Sequence, residues 1–275
     1  MAEPVARCRP FLGTFVEISG ECESAIDAGF EAVARVHDLM SAHAPESDVS
    51  RINRFAHREA VAVDAWTATV LDRALFWWRH SGGLFDVVRA GFDAIRSGRL
   101  PVHENQPRPE AHSSAAILLD GGTVRLTNPA ALDLGGIAKG LAVDQAVSAM
   151  KAAGAKAGFV NAGGDLAGFG PSPWPVDVRH PTLRHAVARI AVSNGALATS
   201  AVLPGGEASH LPDRDPHLLS ATVCAPLAID ADALAKLLLS GVPVAHACLG
   251  SAAAEGMVLA DDGSVTLVGA AAEAA

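Results

Sequence analysis

Two stretches of the sequence double back on themselves. "AAILLDGGTVRLTNP" (115–129) and "GMVLADDGSVTLVGA" (256–270) each set two apolar runs on either side of an Asp-Gly turn, the pattern of a β-hairpin. A hairpin joins antiparallel neighbours through a few residues, whereas parallel strands need long crossovers. Further strand-like runs fall at 11–19 ("FLGTFVEIS"), 158–164, 174–180, 187–193 and 219–225. Helical spacing appears between these clusters. Ile26, Phe30, Val33, Val36 and Met40 line one face of 22–41, and Asp64 caps a second helix that carries Trp66, Val70, Leu71, Leu75 and Trp78 up to "SGG". Two more helices are expected, from the stretch at 132–146 to about Lys156 and over 230–240. Residues 41–53 read as a loop with a short helical end, and 92–112 as a surface excursion. The expectation is an α+β fold, a largely antiparallel sheet with packed helices, formed by residues 1–275 as one domain without repeat or linker.

Composition narrows the function classes. Half of the 275 residues are hydrophobic and 19% are charged, enough for a sizeable core. A formal net charge of −9 argues against a broad nucleic-acid surface, yet leaves room for a local basic pocket that takes a small anion. Cys8, Cys22, Cys224 and Cys248 form no CxxC and no zinc spacing, so reduced thiols are expected. "MAEPVARCRP" has no apolar leader segment and no run is long enough for a membrane span, so a cytoplasmic location is expected.

The chemistry-bearing residues cluster around glycines. "LDLGGIAKGLAVDQA" (132–146) places Asp133, Gly135-Gly136 and Lys139 at the start of a helix, where free N–H groups attract phosphate. It is neither a Walker loop nor GxGxxG, and on its own it reads more readily as a glycine turn opening a helix, with Lys139 in water. "NAGGDLAGFG" (161–170) repeats glycines followed by an acid, Asp165. "SGGLFD" (81–86) does so again, with Phe85 able to stack on a flat ring or simply join the core. His210, in "EASHLPDRDPH", is a general-base candidate among 11 histidines, with His43, His80 and His180 also near turns. Asp232, two residues after Asp230, can cap a helix or hold a hard cation.

In order along the chain, these segments resemble the ApbE family of FAD:protein FMN transferases. "FLGTFVEI", "MSAHAPESDVSRIN", "SGGLFD", "LDLGGIAKGLAVD", "VNAGGD", "VRHP", "LATS", "SHLPDRDP" and "ATVCAPLAIDADALAK" follow the family's succession of motifs, and the fourth is a near-complete copy of its longest signature. The resemblance implies an α+β fold with antiparallel sheet, FAD as substrate, Mg²⁺, and transfer of FMN to a threonine of an acceptor flavoprotein with release of AMP. Hydrolysis of FAD to FMN and AMP is also implied for some members. Carried over by position, Leu12, His43, Leu84, Phe85, Asp86, Asp133, Lys139 and Pro212 are expected to contact FAD. The Gly136 carbonyl and Asp232 are expected to face the metal, and His210 falls on the catalytic base.

Several positions depart from the family's pattern. Lys236 stands where the family has a threonine metal ligand, four residues after Asp232. Its ammonium can turn to solvent and leave a weakened metal site, pair with Asp232 in place of the cation, or end transfer and leave a flavin-binding protein. Leu12 and His43 stand where a methionine and an aromatic residue are common. "AVLPGGEA" replaces a longer loop before His210, Pro212 replaces an aliphatic residue, and "RTG" is missing after Asp213. Family members are usually exported, which the expected cytoplasmic location does not match.

Overall fold

The computed structural model describes residues 5–183, 185–202, 214–241 and 243–269. At its first turn Leu12 and Gly13 both take left-handed backbone (φ 54° and 72°), and there β1 (Val5–Phe11) reverses into β2 (Thr14–Gly20). The single strand expected over 11–19 is thus the tip and second arm of a hairpin. Its first arm, "VARCRPF", is exposed along most of its length and so lacks the apolar alternation that marks a half-buried strand.

The chain forms two compact units, Met1–Ala34 with Lys139–Ala275, and Arg35–Ala138. Helix α1 (Glu23–Met40) leads from the first into the second. The second unit contains α2 (Asp48–Phe55), β3 (Val61–Ala62), α3 (Ala65–His80), α4 (Val87–Arg96), a single 3-10 turn (Ser114–Ala116), β4 (Ile117–Asp120) and β5 (Thr123–Leu126). Its strands form a small antiparallel sheet in the order β3-β5-β4, and the expected hairpin turns at Gly121-Gly122, both at positive φ. Asp64 caps α3 as its sequence position predicts, accepting from the Trp66 N–H at 2.9 Å. Helix α4, whose buried face is built of Val87, Val88, Ala90, Gly91 and Ala94, was not expected, because its 10 residues repeat the apolar period for fewer than about three turns. The surface excursion therefore begins at Ser97.

The first unit is built on an eight-stranded sheet, every neighbouring pair antiparallel, in the order β1-β2-β6-β7-β10-β11-β12-β13. The later strands are β6 (Gly158–Ala162), β7 (Asp165–Phe169), β8 (Trp174–Arg179), β9 (Ala186–Val192), β10 (Gly195–Ala201), β11 (Leu218–Ala225), β12 (Glu255–Ala260) and β13 (Val265–Val268). Between them run α5 (Ala138–Ala152), α6 (Ala228–Leu238) and α7 (Pro243–Gly250). Neither β7 ("DLAGF") nor β10 ("GALATSA") shows the β-branched and aromatic enrichment of an ordinary strand, and both escaped the sequence reading.

Helices cover one face of this sheet and a hairpin covers the other. Met150 of α5 lies so close to Gly20, Gly29 and Gly158 that a Cβ on any of them would stand 2.6–3.2 Å from its side chain. Helix α6 packs on β10 and β11. On the opposite face the antiparallel pair β8-β9 contributes Val178 and Val192 to a core with Leu166, Leu197 and Met257, and Trp174 stacks on Phe159 with centroids 5.4 Å apart. Alternation along β7 then turns Asp165, the neighbour of Leu166, toward the helices. A largely antiparallel α+β fold is what the hairpin pattern predicted.

Candidate active site

Four charged side chains meet between the sheet and helices of the first unit. Lys139 stands in the first turn of α5, Asp165 opens β7, and Asp232 and Lys236 lie one turn apart on α6. The Lys139 ammonium bonds the Asp165 carboxylate and stands 3.6 Å from Asp232 Oδ1. The Lys236 ammonium donates to Asp232 Oδ1 and, at 3.2 Å, to its backbone carbonyl. Asp232 Oδ2 accepts from the Gly140 N–H at 3.0 Å. Asp232 is fully buried, Asp165 and Lys236 nearly so, and the Lys139 side chain alone keeps appreciable exposure, 26%. Two carboxylates and two ammoniums cancel in charge, which is how such groups can lie together away from water.

The site's ionisation follows from that arrangement. Burial pushes the Asp232 carboxyl up, but the Lys139 and Lys236 ammoniums and the bonds from Lys236 and Gly140 outweigh it, and it lies below the usual carboxylate range. For Asp165 burial and the nearby Asp232 charge prevail over the two lysines, and its pKa is raised. Burial works to lower the Lys139 pKa, but Asp232 and Asp165 hold it above the usual lysine value.

The 132–146 signature explains how this group is assembled. A Cβ on Gly140 would come 2.3 Å from the Ala228 carbonyl oxygen, so only glycine lets α5 lie against the first turn of α6. One turn further on, Asp144 accepts from the Ala228 and Ile229 N–H groups at 2.8 and 2.9 Å. Leu227, the residue that precedes α6, offers no side-chain cap of its own. Burial raises the Asp144 pKa to about 6 against those two hydrogen bonds. Lys139, Gly140 and Asp144 thus dock the helix that carries Asp232. Gly140 and Asp144 went unassigned in the sequence reading, although their spacing of four puts both on one helix face.

In the second unit the predicted residues have mostly structural partners. Asp86 caps α4: its Oδ1 accepts from the Val88 and Arg89 N–H groups, and it also takes the Ser114 N–H and, at 2.7 Å, the Ser114 hydroxyl. Asp133 Oδ1 accepts from the Gly135 N–H at 2.8 Å, and the Asp133 N–H donates to the Val87 carbonyl at 2.9 Å. Asn53 clamps the adjacent Leu132 from both sides, accepting its N–H at 2.8 Å and donating to its carbonyl at 3.4 Å. Phe85 is buried, Leu84 half-buried and His43 exposed, while Gly136 lies buried in the turn before α5. Leu12 is in the first unit, half-buried at the left-handed β1-β2 turn. His210 and Pro212 lie outside the described residues. Of the predicted residues the structure therefore brings together Lys139 and Asp232 in one unit, and Asp86 and Asp133, through Val87, in the other.

The expected magnesium does not fit Asp232 as it stands. Mg²⁺ takes oxygen ligands in a near-octahedral shell. One Asp232 oxygen is held by an ammonium and the other by a backbone N–H. Among the described residues no three His, Cys, Asp or Glu side chains are grouped to hold a metal ion. What the group offers instead is Lys139, a partly exposed side chain whose ammonium is backed by two buried carboxylates and suited to an anionic ligand.

Comparison with known proteins agrees with this architecture. The chain is 32% identical over 185 residues to an FAD:protein FMN transferase of Rhodobacter capsulatus, a match that spans 60% of this chain and 34% of that protein. It is 25% identical over 265 residues to an FAD:protein FMN transferase of Treponema pallidum, across 79% of this chain and 71% of the relative. The flavin transferase ApbE of Vibrio cholerae superimposes with a TM-score of 0.82 at 21% identity, covering 100% of this chain and 99% of the other. The chain spans about a third of the length of the first of these relatives. The model of the ApbE family matches residues 12–251, and the protein is a member of the ApbE family.

Proposed function

We propose that the protein transfers FMN from FAD to a threonine hydroxyl of an acceptor flavoprotein, releasing AMP, with residues 1–275 acting as one domain. Support comes from family membership and from the names of the two relatives, FAD:protein FMN transferases. The observation that carries the reading is Lys139, an ammonium at a helix start, held by Asp165 and Asp232 on a side chain that keeps part of its surface exposed. In this reading Lys139 neutralises charge on the pyrophosphate, while Leu12, His43, Leu84, Phe85 and Pro212 pack the rest of the dinucleotide. Asp86 and Asp133 act mainly by shaping the backbone there, since their carboxylates cap local N–H groups.

The reaction itself is a displacement at phosphorus. The threonine oxygen bonds the FMN phosphorus, the bond from that phosphorus to the bridging oxygen breaks, and AMP departs with the bridging oxygen. The hydroxyl proton passes to a base, for which His210 is the proposed residue. Water in place of threonine gives FMN and AMP. Lys139 is worth more as charge builds on the departing oxygens than in the ground state.

A second reading is favoured by one observation, the complete engagement of the Asp232 carboxylate: the protein holds FAD without cleaving it. Incubation with FAD and a flavoprotein bearing a family-type threonine site, followed by chromatography, separates the two. AMP with FMN-loaded acceptor supports transfer, AMP with free FMN supports hydrolysis, and intact bound FAD supports the second reading. If His210→Ala leaves transfer unchanged, the base is misassigned.

A further inference from the structure

We infer that Lys236 is a built-in cation that takes the place of a divalent metal at Asp232, so that this centre neither binds Mg²⁺ nor depends on it. The inference rests on the flavin-nucleotide reading for its chemistry, but its geometry stands apart from it. A lysine four residues after an aspartate on an exposed helix face is ordinary. Here the pair is buried, with Asp232 wholly removed from solvent and Lys236 6% exposed, and the ammonium bonds both the carboxylate and the carbonyl of the same residue. The other carboxylate oxygen accepts from the Gly140 N–H, whose position is fixed by the close approach of α5 to α6. A metal entering here would have to expel the ammonium into a region packed by α6, β10 and β11, or accept it as a close neighbour of like charge.

The charge count points the same way. Asp165 and Asp232 carry two negative charges, and Lys139 and Lys236 match them without any added ion. A divalent cation would leave the group with a surplus of two. Removing Lys236 would instead restore a net negative charge and free one oxygen of Asp232, which is what a hard cation needs. Lys236 is therefore a positioning and charge-balancing residue rather than one that touches the reacting atoms.

The test uses Mn²⁺ as the probe, titrated into the full-length protein without flavin and followed by electron paramagnetic resonance of the free ion. The unmodified protein is expected to bind no Mn²⁺ in the micromolar range, and Lys236→Thr to gain one site per chain that Asp232→Asn removes. Mg²⁺ should raise the melting temperature of Lys236→Thr and leave that of the parent unchanged. A stoichiometric Mn²⁺ site in the unmodified protein, lost in Asp232→Asn, would overturn the inference without need of any variant at 236. A folded Lys236→Thr that gains no site would overturn it too, because something other than the ammonium then excludes the metal. Failure of the transfer reading is seen separately, as intact FAD with or without EDTA, and leaves these metal titrations unaffected.

Discussion

The Asp232 carboxylate accepts from Lys236 and Gly140 with Lys139 3.6 Å away, and the stability of the site turns on whether each charge in it keeps a partner. Lys236→Ala leaves a fully buried carboxylate facing only Gly140 and the more distant Lys139, so a loss of about 3–5 kcal/mol is expected in urea denaturation. Asp165→Asn should cost clearly less, because burial and the neighbouring Asp232 already disfavour the charge that this change removes. The lowered pKa of Asp232 sets the sign of its pH effect. Its contribution is present above the ordinary carboxylate range and is lost as the pH falls below it. At this scale the sequence was partly legible. Lys139 and Asp232 were found by type and motif, and Asp165 was noticed as an acid after paired glycines. That Lys236 points inward was not legible, because an i, i+4 Asp-Lys pair looks the same whether the helix face is wet or buried.

Helix α6 depends on its neighbour α5 for both of its fixed points, the approach at Gly140 and the cap at Asp144. Gly140→Ala drives a Cβ into backbone rather than into a yielding side chain, so a loss of about 3 kcal/mol is expected by thermal or urea unfolding. Gly250→Ala, at the end of α7 with nothing within 4 Å of the new atom, is the matched control and should change stability by less than about 1 kcal/mol. Asp144 predicts a pH dependence. Its pKa rises from an ordinary 3.8 to about 6, so the stabilisation linked to its proton is complete below the first value and lost as the pH rises through the second. Between pH 4 and 7 the parent should lose at most about 3 kcal/mol relative to Asp144→Asn, which cannot titrate. Parallel stability curves for the two proteins would contradict that. Elements with a large apolar stripe or an Asp-Gly turn, such as α1, α3 and the β4-β5 and β12-β13 hairpins, could be placed from sequence. Elements that are short or carry alanine and glycine at buried positions, such as α4, β7 and β10, could not. Their smallness serves close packing, and close packing leaves little periodic signal.

On the scale of the whole molecule, the sheet pairs Gly20 with Gly158, joining β2 and β6 although the whole second unit lies between them in sequence. Such a pairing is invisible to local pattern and slow to form, whereas the second unit is continuous in sequence. Refolding should therefore show the fluorescence of Trp66, Trp77 and Trp78 changing before that of Trp174, and Trp174→Phe should remove the slow fluorescence phase while leaving the fast one. No helix of the described residues is long and apolar enough to cross a membrane. What unites sheet, helices and charge cluster is the claim that this fold presents Lys139 to a flavin dinucleotide with Lys236 serving where a metal would. The measurement that addresses it most directly is the mass of a threonine-bearing acceptor flavoprotein after incubation with the protein and FAD in excess EDTA. The acceptor is expected to be heavier by one covalently bound FMN, with an equal amount of AMP released, at a rate that added Mg²⁺ does not raise. An unmodified acceptor in EDTA that becomes flavinylated only when Mg²⁺ is restored would contradict it.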